Sequence, residues 1–260
     1  FLKEVAKSLE QLPGALTSSL YSIIGPDFYD KLGWRLHPSK MATLEVGLPR
    51  NISALRESTD VGSVRAVDTP TPLFLDDALG TLLQTDNQRL ISELSDSRFD
   101  GREAFVTLPT RDSMEWQFTS GVHFARAHGY AEIPVTCGAK LSEDAFVLWC
   151  HKLKEATLYI VRARLPDPKL KTNAAASTCL LLRAALEEAR KFQIEKVVVW
   201  DPPSVLSHED VRNQFEVVVE DRNTSLSCAR VFEKRGELDR DEKSTAPLPE
   251  WLGNEKFCWV

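Results

Sequence analysis

A long amphipathic helix followed at once by a buried strand constrains the fold of this chain more than any other feature. Between Asn173 and Gln193 the apolar residues repeat at helical spacing, and we expect Asn173 to cap the helix N-terminus. The run Lys196–Trp200, with three consecutive valines, is typical of a buried strand. Two apolar segments before the helix, at 145–151 and 157–165, predict a hairpin. This strand, strand, helix, strand order predicts an α/β fold. The expected apolar stripe of the helix consists of Ala176, Cys179, Leu180, Leu186, Ala189 and Phe192.

The N-terminal part of the chain shows a second, shorter pattern. Residues 1 to about 11 predict an amphipathic helix, and 17–22 predict a strand. Gly25 and Pro26 then begin a short helix, because proline suits the first helical position. A strand over 34–37 follows, so strand, helix and strand lie close together in the sequence.

Residues 40–71, which show little hydrophobic periodicity, separate these elements from the rest of the chain. Between residues 40 and 71 only 64–67 suggests a strand, and Thr69-Pro70-Thr71-Pro72 is typical of a linker. We therefore predict two domains, 1–70 and 71–260. Further elements are expected as helices at 74–94, 112–128 and 208–215, as strands at 105–108, 216–219 and 226–232, and as a charged loop at 233–245.

The charge balance and the hydropathy pattern exclude two classes of partner. The chain carries 32 Lys and Arg against 38 Asp and Glu, so its net charge is −6. A nucleic acid would be repelled unless the basic residues formed a separate face, and they alternate with acidic ones. The longest apolar runs are far shorter than the roughly 20 residues that cross a bilayer. We expect no nucleic-acid partner and no membrane partner.

The five cysteines indicate a reducing compartment. They are odd in number and widely spaced, and no two form a CxxC pair. Together with the lack of a recognisable targeting signal, this pattern predicts reduced thiols and a cytoplasmic location.

Common catalytic motifs are missing from the sequence. No two glycines stand two residues apart, which excludes G-x-G-x-x-G, and G-x-S-x-G is also absent. Cys150 and His151 are adjacent and would point to opposite faces of a strand. Because no second pair stands at ligand spacing, we expect no metal site.

The short helix near residue 27 carries the first indication of chemistry. It places Phe28 and Tyr29 four residues ahead of Gly33-Trp34, between two predicted strands. This arrangement resembles the LY…GF signature of the GNAT superfamily of acetyl-CoA-dependent N-acetyltransferases. The resemblance implies that Gly25, Phe28 and Tyr29 flank the pantetheine arm, and that the Tyr29 hydroxyl protonates the departing thiolate. Without the resemblance, Tyr29 is interpreted as a core tyrosine that packs the helix on the sheet.

Further segments extend the resemblance over nearly the whole chain. They are Tyr21-Ser22, Val147–Trp149, Tyr159–Arg162, Ala184–Ala189, Val199–Pro202 and Pro249–Trp259. In order and spacing they are similar to the fungal lysine N-acetyltransferases of lysine catabolism, which pair a GNAT domain with a characteristic C-terminal domain. The resemblance implies a partial GNAT (acyl-CoA N-acyltransferase) domain followed by a C-terminal α/β GNAT-like domain. It also implies transfer of the acetyl group of acetyl-CoA to a small-molecule amine such as lysine.

One part of the family pattern is missing from this sequence. The family binds the CoA pyrophosphate with an (Arg/Gln)-x-x-Gly-x-(Gly/Ala) loop at a helix N-terminus. The sequence begins at Phe1, within the helix that would follow this loop, so we expect the 260 residues alone to be inactive. The alternative is a non-catalytic remnant that acts as a folded interaction or dimerisation module.

Overall fold

The structure, a computed structural model, describes residues 2–57, 69–95, 103–232 and 247–259. The helices are α1 (Leu2–Glu10), α2 (Pro26–Asp30), α3 (Pro49–Glu57), α4 (Asp77–Glu93), α5 (Arg111–Ala127), α6 (Ala174–Lys191) and α7 (Glu209–Gln214). The strands are β1 (Thr17–Ser22), β2 (Arg35–Leu36), β3 (Lys40–Glu45), β4 (Thr71–Leu73), β5 (Ala104–Val106), β6 (Gly138–Ser142), β7 (Ala145–Lys152), β8 (Thr157–Arg164), β9 (Lys196–Trp200), β10 (Val218–Asp221), β11 (Leu226–Val231) and β12 (Glu250–Leu252). None of the helices in these residues has the length and apolar character that crossing a membrane requires.

A seven-stranded mixed sheet organises the described residues. Its strand order is β10-β3-β9-β8-β7-β6-β4. Neighbouring strands are antiparallel except for β8 and β9, which are parallel. Helix α6 connects this parallel pair, as expected because a crossover helix commonly joins parallel strands. Two smaller sheets have the orders β1-β11-β2 and β12-β5. The predicted α/β fold is confirmed.

Strand β7 is an almost continuous apolar run because both of its faces are buried. Successive side chains on a strand point to opposite faces. Val147 and Trp149 belong to the apolar core on the α6 side, whereas Phe146 and Leu148 belong to the core that includes residues of α4 and α5. Both faces of the central sheet are therefore covered, and the hairpin of β7 and β8 is confirmed.

The buried surface of α6 is wider than the predicted stripe. Cys179, Leu186 and Ala189 are buried as expected, but Ala176 is exposed and Leu180 is only half-buried. The other buried residues of α6 are Ala174, Ala175, Thr178, Leu181, Leu182 and Ala185. The reason is that α3 and α7 pack against α6 in addition to the sheet. Asn173 occupies the N-cap position, but its side chain makes no capping hydrogen bond.

The weak region of the sequence contains elements that the pattern did not predict. Strand β3 and helix α3 lie there, and the predicted linker at 69–72 instead runs into β4, which pairs with β6. A three-residue strand is too short to show alternation, so β4 left no periodic signal. The predicted strand at 64–67 and the charged loop at 233–245 lie outside the described residues.

The division into domains at residue 70 stays a prediction. Strand β3 lies between β9 and β10, and β11 lies between β1 and β2. Strands from both predicted segments therefore share two of the sheets.

Two helical glycines give a test of how α5 packs on the sheet. A Cβ atom on Gly121 would lie 2.5 Å from the carbonyl oxygen of His151, whereas one on Gly80 in α4 meets nothing within 4 Å. We expect Gly121→Ala to lower the free energy of unfolding by about 1–3 kcal/mol through overpacking. Gly80→Ala should raise it by roughly 0.5–1 kcal/mol. Urea denaturation measures both free energies of unfolding. The same change in both variants would contradict the close approach of α5 to β7.

Candidate functional site

A cleft opens where β8 and β9 stop pairing. The parallel register runs from Thr157 and Lys196 to Ile160 and Val199, and β8 continues to Arg164 without this partner. The cleft has a volume of about 210 Å³ and is lined by Leu90, Glu93, Arg162, Ala163, Arg164, Leu165, Asp201, Pro203, Leu252, Gly253 and Glu255. This is below the roughly 300–1,000 Å³ of pockets for drug-sized ligands. The cleft therefore fits a small molecule or one end of a larger one.

Two arginines of β8 form a buried ion network along the cleft. Arg162 donates to both carboxylate oxygens of Asp86, at 2.7 and 2.9 Å, and to Glu255 at 2.8 Å. Arg164 donates to Asp86 and, at 2.7 Å, to Glu93. Burial alone would raise the pKa of Asp86, but the hydrogen bonds and charges of the two arginines outweigh it and hold that pKa below its usual value. The network is stable in the interior because nearly every charge in it has a partner.

Asp201 is the acidic residue of the cleft wall that stands outside this network. It follows β9 directly, with a φ angle of 47°, in the left-handed region that Asp and Asn tolerate better than most residues. Burial raises the pKa of its carboxyl to about 6, against the lowering effect of nearby Arg222 and of a hydrogen bond from the Asn254 backbone; Glu250 adds to the rise. Among the described residues no ion pair holds Asp201. It is therefore an ionised but unpaired carboxylate at neutral pH.

Two basic side chains contact the Trp200 ring next to Asp201. The guanidinium of Arg222 lies 4.1 Å from the ring centroid, and the Lys256 amine lies 4.6 Å from it. The Lys256 amine also lies 3.2 Å from the centroid of the Trp259 ring. Burial lowers the pKa of Lys256 to about 7, because the charged amine is removed from water. These contacts fix Trp200 and with it the turn at Asp201.

The strand–helix junction between β8 and α6 does not fit a CoA pyrophosphate. Pro166 and Pro168 have no N–H to donate. The N–H groups of Lys169, Leu170 and Lys171 donate instead to Asp167, through its side chain or its carbonyl. A pyrophosphate cradle needs several N–H groups that point at the ligand, and these three are used within the loop.

The predicted site residues lie on α2, away from the cleft lining. Gly25 precedes the helix with a φ angle of 101°, and Phe28 is 45% exposed. Tyr29 is half-buried against the small core of Ala6, Trp34 and Cys228. The Phe28 and Tyr29 rings meet edge to face at 5.0 Å. The structure thus brings the three predicted residues together, and their contact with a cofactor stays a prediction.

The described residues offer neither a metal cluster nor a reactive thiol. In these parts of the chain, no three or more His, Cys, Asp or Glu residues are arranged to hold a metal ion. The cysteines are free, and burial raises their pKa values to about 12 for Cys137 and Cys258 and about 11 for Cys150, Cys179 and Cys228. All five are therefore neutral thiols at physiological pH and poor nucleophiles.

Most of the cleft residues were missed by the sequence analysis. The sequence analysis noted three ranges only for their resemblance, and each places at least one residue in the cleft: Tyr159–Arg162, Val199–Pro202 and Pro249–Trp259. One signal was present in the sequence. Arg162 and Arg164 interrupt an otherwise apolar strand, and a charge inside a buried strand needs a buried partner.

Comparisons with known proteins show what this chain is similar to. It is 26% identical over 259 residues to the uncharacterized protein YGR111W of Saccharomyces cerevisiae. That match covers 94% of this chain and 58% of the curated relative, so the chain spans little more than half of the relative's length.

Three solved structures resemble the fold at low similarity. One is a protein of unknown function from Enterococcus faecalis V583, described as a probable N-acyltransferase, with 13% identity and a TM-score of 0.43 over 89% of this chain and 49% of that one. The second is a GCN5-related N-acetyltransferase from Kribbella flavida, with 13% identity and a TM-score of 0.43 over 89% and 47%. The third is a GCN5-related N-acetyltransferase from Anabaena variabilis, with 10% identity and a TM-score of 0.40 over 89% and 50%.

The family comparison covers most of the chain. Residues 56–260 match the family described as the LYC1 GNAT-like C-terminal domain. These residues include α4 to α7, the central hairpin and both sides of the cleft. The chain therefore belongs to the LYC1 GNAT-like C-terminal domain family.

Proposed function

We propose that the protein takes part in acetyl-CoA-dependent N-acetylation of a small primary amine such as lysine, in the cytoplasm. Membership of a GNAT-like family over residues 56–260 is the observation that carries this proposal. The GNAT resemblance of Gly25, Phe28 and Tyr29 supports it further. Acetyl-CoA supplies an activated acyl group, and the residues of the chain bind and orient the acceptor amine.

The proposed roles of the chain's own residues divide between two places. Tyr29, on α2, holds a proton at its hydroxyl that can be donated to a leaving thiolate. The small cleft between β8 and β9 has the size for an amine, whereas the loop before α6 does not suit a pyrophosphate. We therefore assign amine binding, and not pyrophosphate binding, to the β8–α6–β9 unit. Because the reacting amine nitrogen must reach the thioester carbon next to Tyr29, this assignment requires a ligand that extends from the cleft to α2.

That same loop favours a second candidate function. Because three of its N–H groups donate to Asp167, they do not form the anion cradle of a CoA-binding enzyme. The second candidate is a non-catalytic module that binds a partner through its fold. The two candidates differ in whether free CoA is released.

The test is a thiol-release assay with acetyl-CoA and lysine, on the 260-residue chain and on the complete product of its gene. Tyr29→Phe should lower turnover by ~10²–10⁴-fold, because the hydroxyl acts only as the C–S bond breaks. The affinity for CoA should change little. Tyr130→Phe, which makes the same change at an exposed tyrosine, is the control.

Two results would count against these assignments. If Tyr29→Phe keeps full turnover, Tyr29 has only a packing role. If no primary amine supports CoA release from either protein, the acetyltransferase proposal fails and the non-catalytic module is favoured.

A further inference from the structure

We infer that Asp201 binds the ammonium group of a small primary amine in the cleft between β8 and β9. The inference rests on the proposed function only for the choice of an amine as the ligand. The site itself is argued from the charges and the geometry of the cleft.

The first argument is the balance of charge in the cleft. The carboxylates of Asp86, Glu93 and Glu255 each pair with Arg162 or Arg164. Asp201 has no such partner in the described part of the chain. With all groups ionised, these four carboxylates face three guanidinium groups, because Arg222 lies near Asp201, so the cluster carries a net charge of −1. A cationic ligand removes this imbalance, and an anionic one increases it.

The second argument is the geometry of Asp201 itself. Its left-handed backbone conformation turns the chain at the end of β9, where the cleft opens. Strained backbone positions of this kind concentrate at functional sites. The hydrogen bond from the Asn254 backbone uses only part of the carboxylate's acceptor capacity, which is about four lone pairs. The remaining capacity suits the three N–H donors of an ammonium group.

The third argument is an unpaired hydrogen-bond donor in the same cleft. The Nη2 atom of Arg164 is buried and has no hydrogen-bond partner among the described residues. Arg164 lines the same cleft as Asp201. The cleft therefore offers both an acceptor for an ammonium group and a donor for a second polar group of the ligand.

The test is a titration of the protein with 5-aminopentan-1-ol, which carries one ammonium group and one hydroxyl acceptor, followed by backbone amide NMR shifts, which detect and locate weak binding. We expect shifts centred on Ala163 and Gly253 of the cleft. Pentane-1,5-diol, which has the same length but no charge, should cause none. Asp201→Asn should weaken binding of the amino alcohol about 10- to 100-fold, the usual size of one hydrogen bond to a charged group.

The control is Asp221→Asn, the same substitution at an exposed position of the central sheet. It changes the net charge equally and should leave binding unchanged. Asn also tolerates the left-handed conformation at position 201, and removing a buried charge should keep the melting temperature at pH 8 at or above that of the unsubstituted protein. Shifts outside the cleft on addition of the amino alcohol, or equal binding by both variants, would overturn the inference.

Failure of the inference and failure of the proposed function give different results. Asp201-dependent binding of the amino alcohol without any release of CoA would support the inference and contradict the acetyltransferase proposal. Release of CoA with an unchanged KM for the amine in Asp201→Asn would support the proposal and overturn the inference.

Discussion

Arg162→Met is expected to lower the free energy of unfolding by about 3–5 kcal/mol, the usual cost of removing one partner from a buried ion pair. Asp86 is fully buried and Glu255 nearly so, and both lose hydrogen bonds from Arg162 in this variant. Their charges would remain in the interior with Arg164 as the nearest cation of the network. Equilibrium denaturation in urea at neutral pH measures the loss.

Arg111→Met provides the matched control for this substitution. Arg111 pairs with Asp77 at 2.9 Å, but the side chains are 44% and 99% exposed, so water screens the pair. We expect little change in stability. A second variant, Arg162→Met with Asp86→Asn, should recover part of the loss because one buried charge is gone. Equal stability of Arg162→Met and Arg111→Met would show that the network is not buried as described.

The parts of the fold with strong periodicity could be predicted from the sequence. The hairpin of β7 and β8 and the unit of α6 and β9 each bury a long apolar pattern, and local pattern and tertiary packing agree there. Strands β3 and β4 could not be predicted in this way. Only Ala42 and Leu44 of β3 are buried, and β4 has three residues, so their pairing with distant strands decides their structure.

The candidate site was harder to predict than the fold, because its residues come from distant parts of the chain. Asp86 lies on α4, Arg162 on β8, Asp201 after β9 and Glu255 near the C-terminal end of the sequence. No spacing rule connects such residues. The predicted residue Tyr29 came from a resemblance within one short segment, where neighbours in sequence are also neighbours in space.

Leu186→Asp should abolish the cooperative thermal melt of the protein. Leu186 is fully buried in the core between α6 and the sheet, and an unpaired charge there costs several kcal/mol. That approaches the ~5–15 kcal/mol that stabilise a typical domain. Ala176→Asp makes an acidic residue on the exposed side of the same helix, near its N-terminus, where the helix dipole favours a negative charge. The melting temperature of this control should stay within a few degrees of the unsubstituted protein. Circular dichroism melts of the two variants measure the difference, and the same melting temperature for both would mean that the buried face of α6 is not the one that carries Leu186.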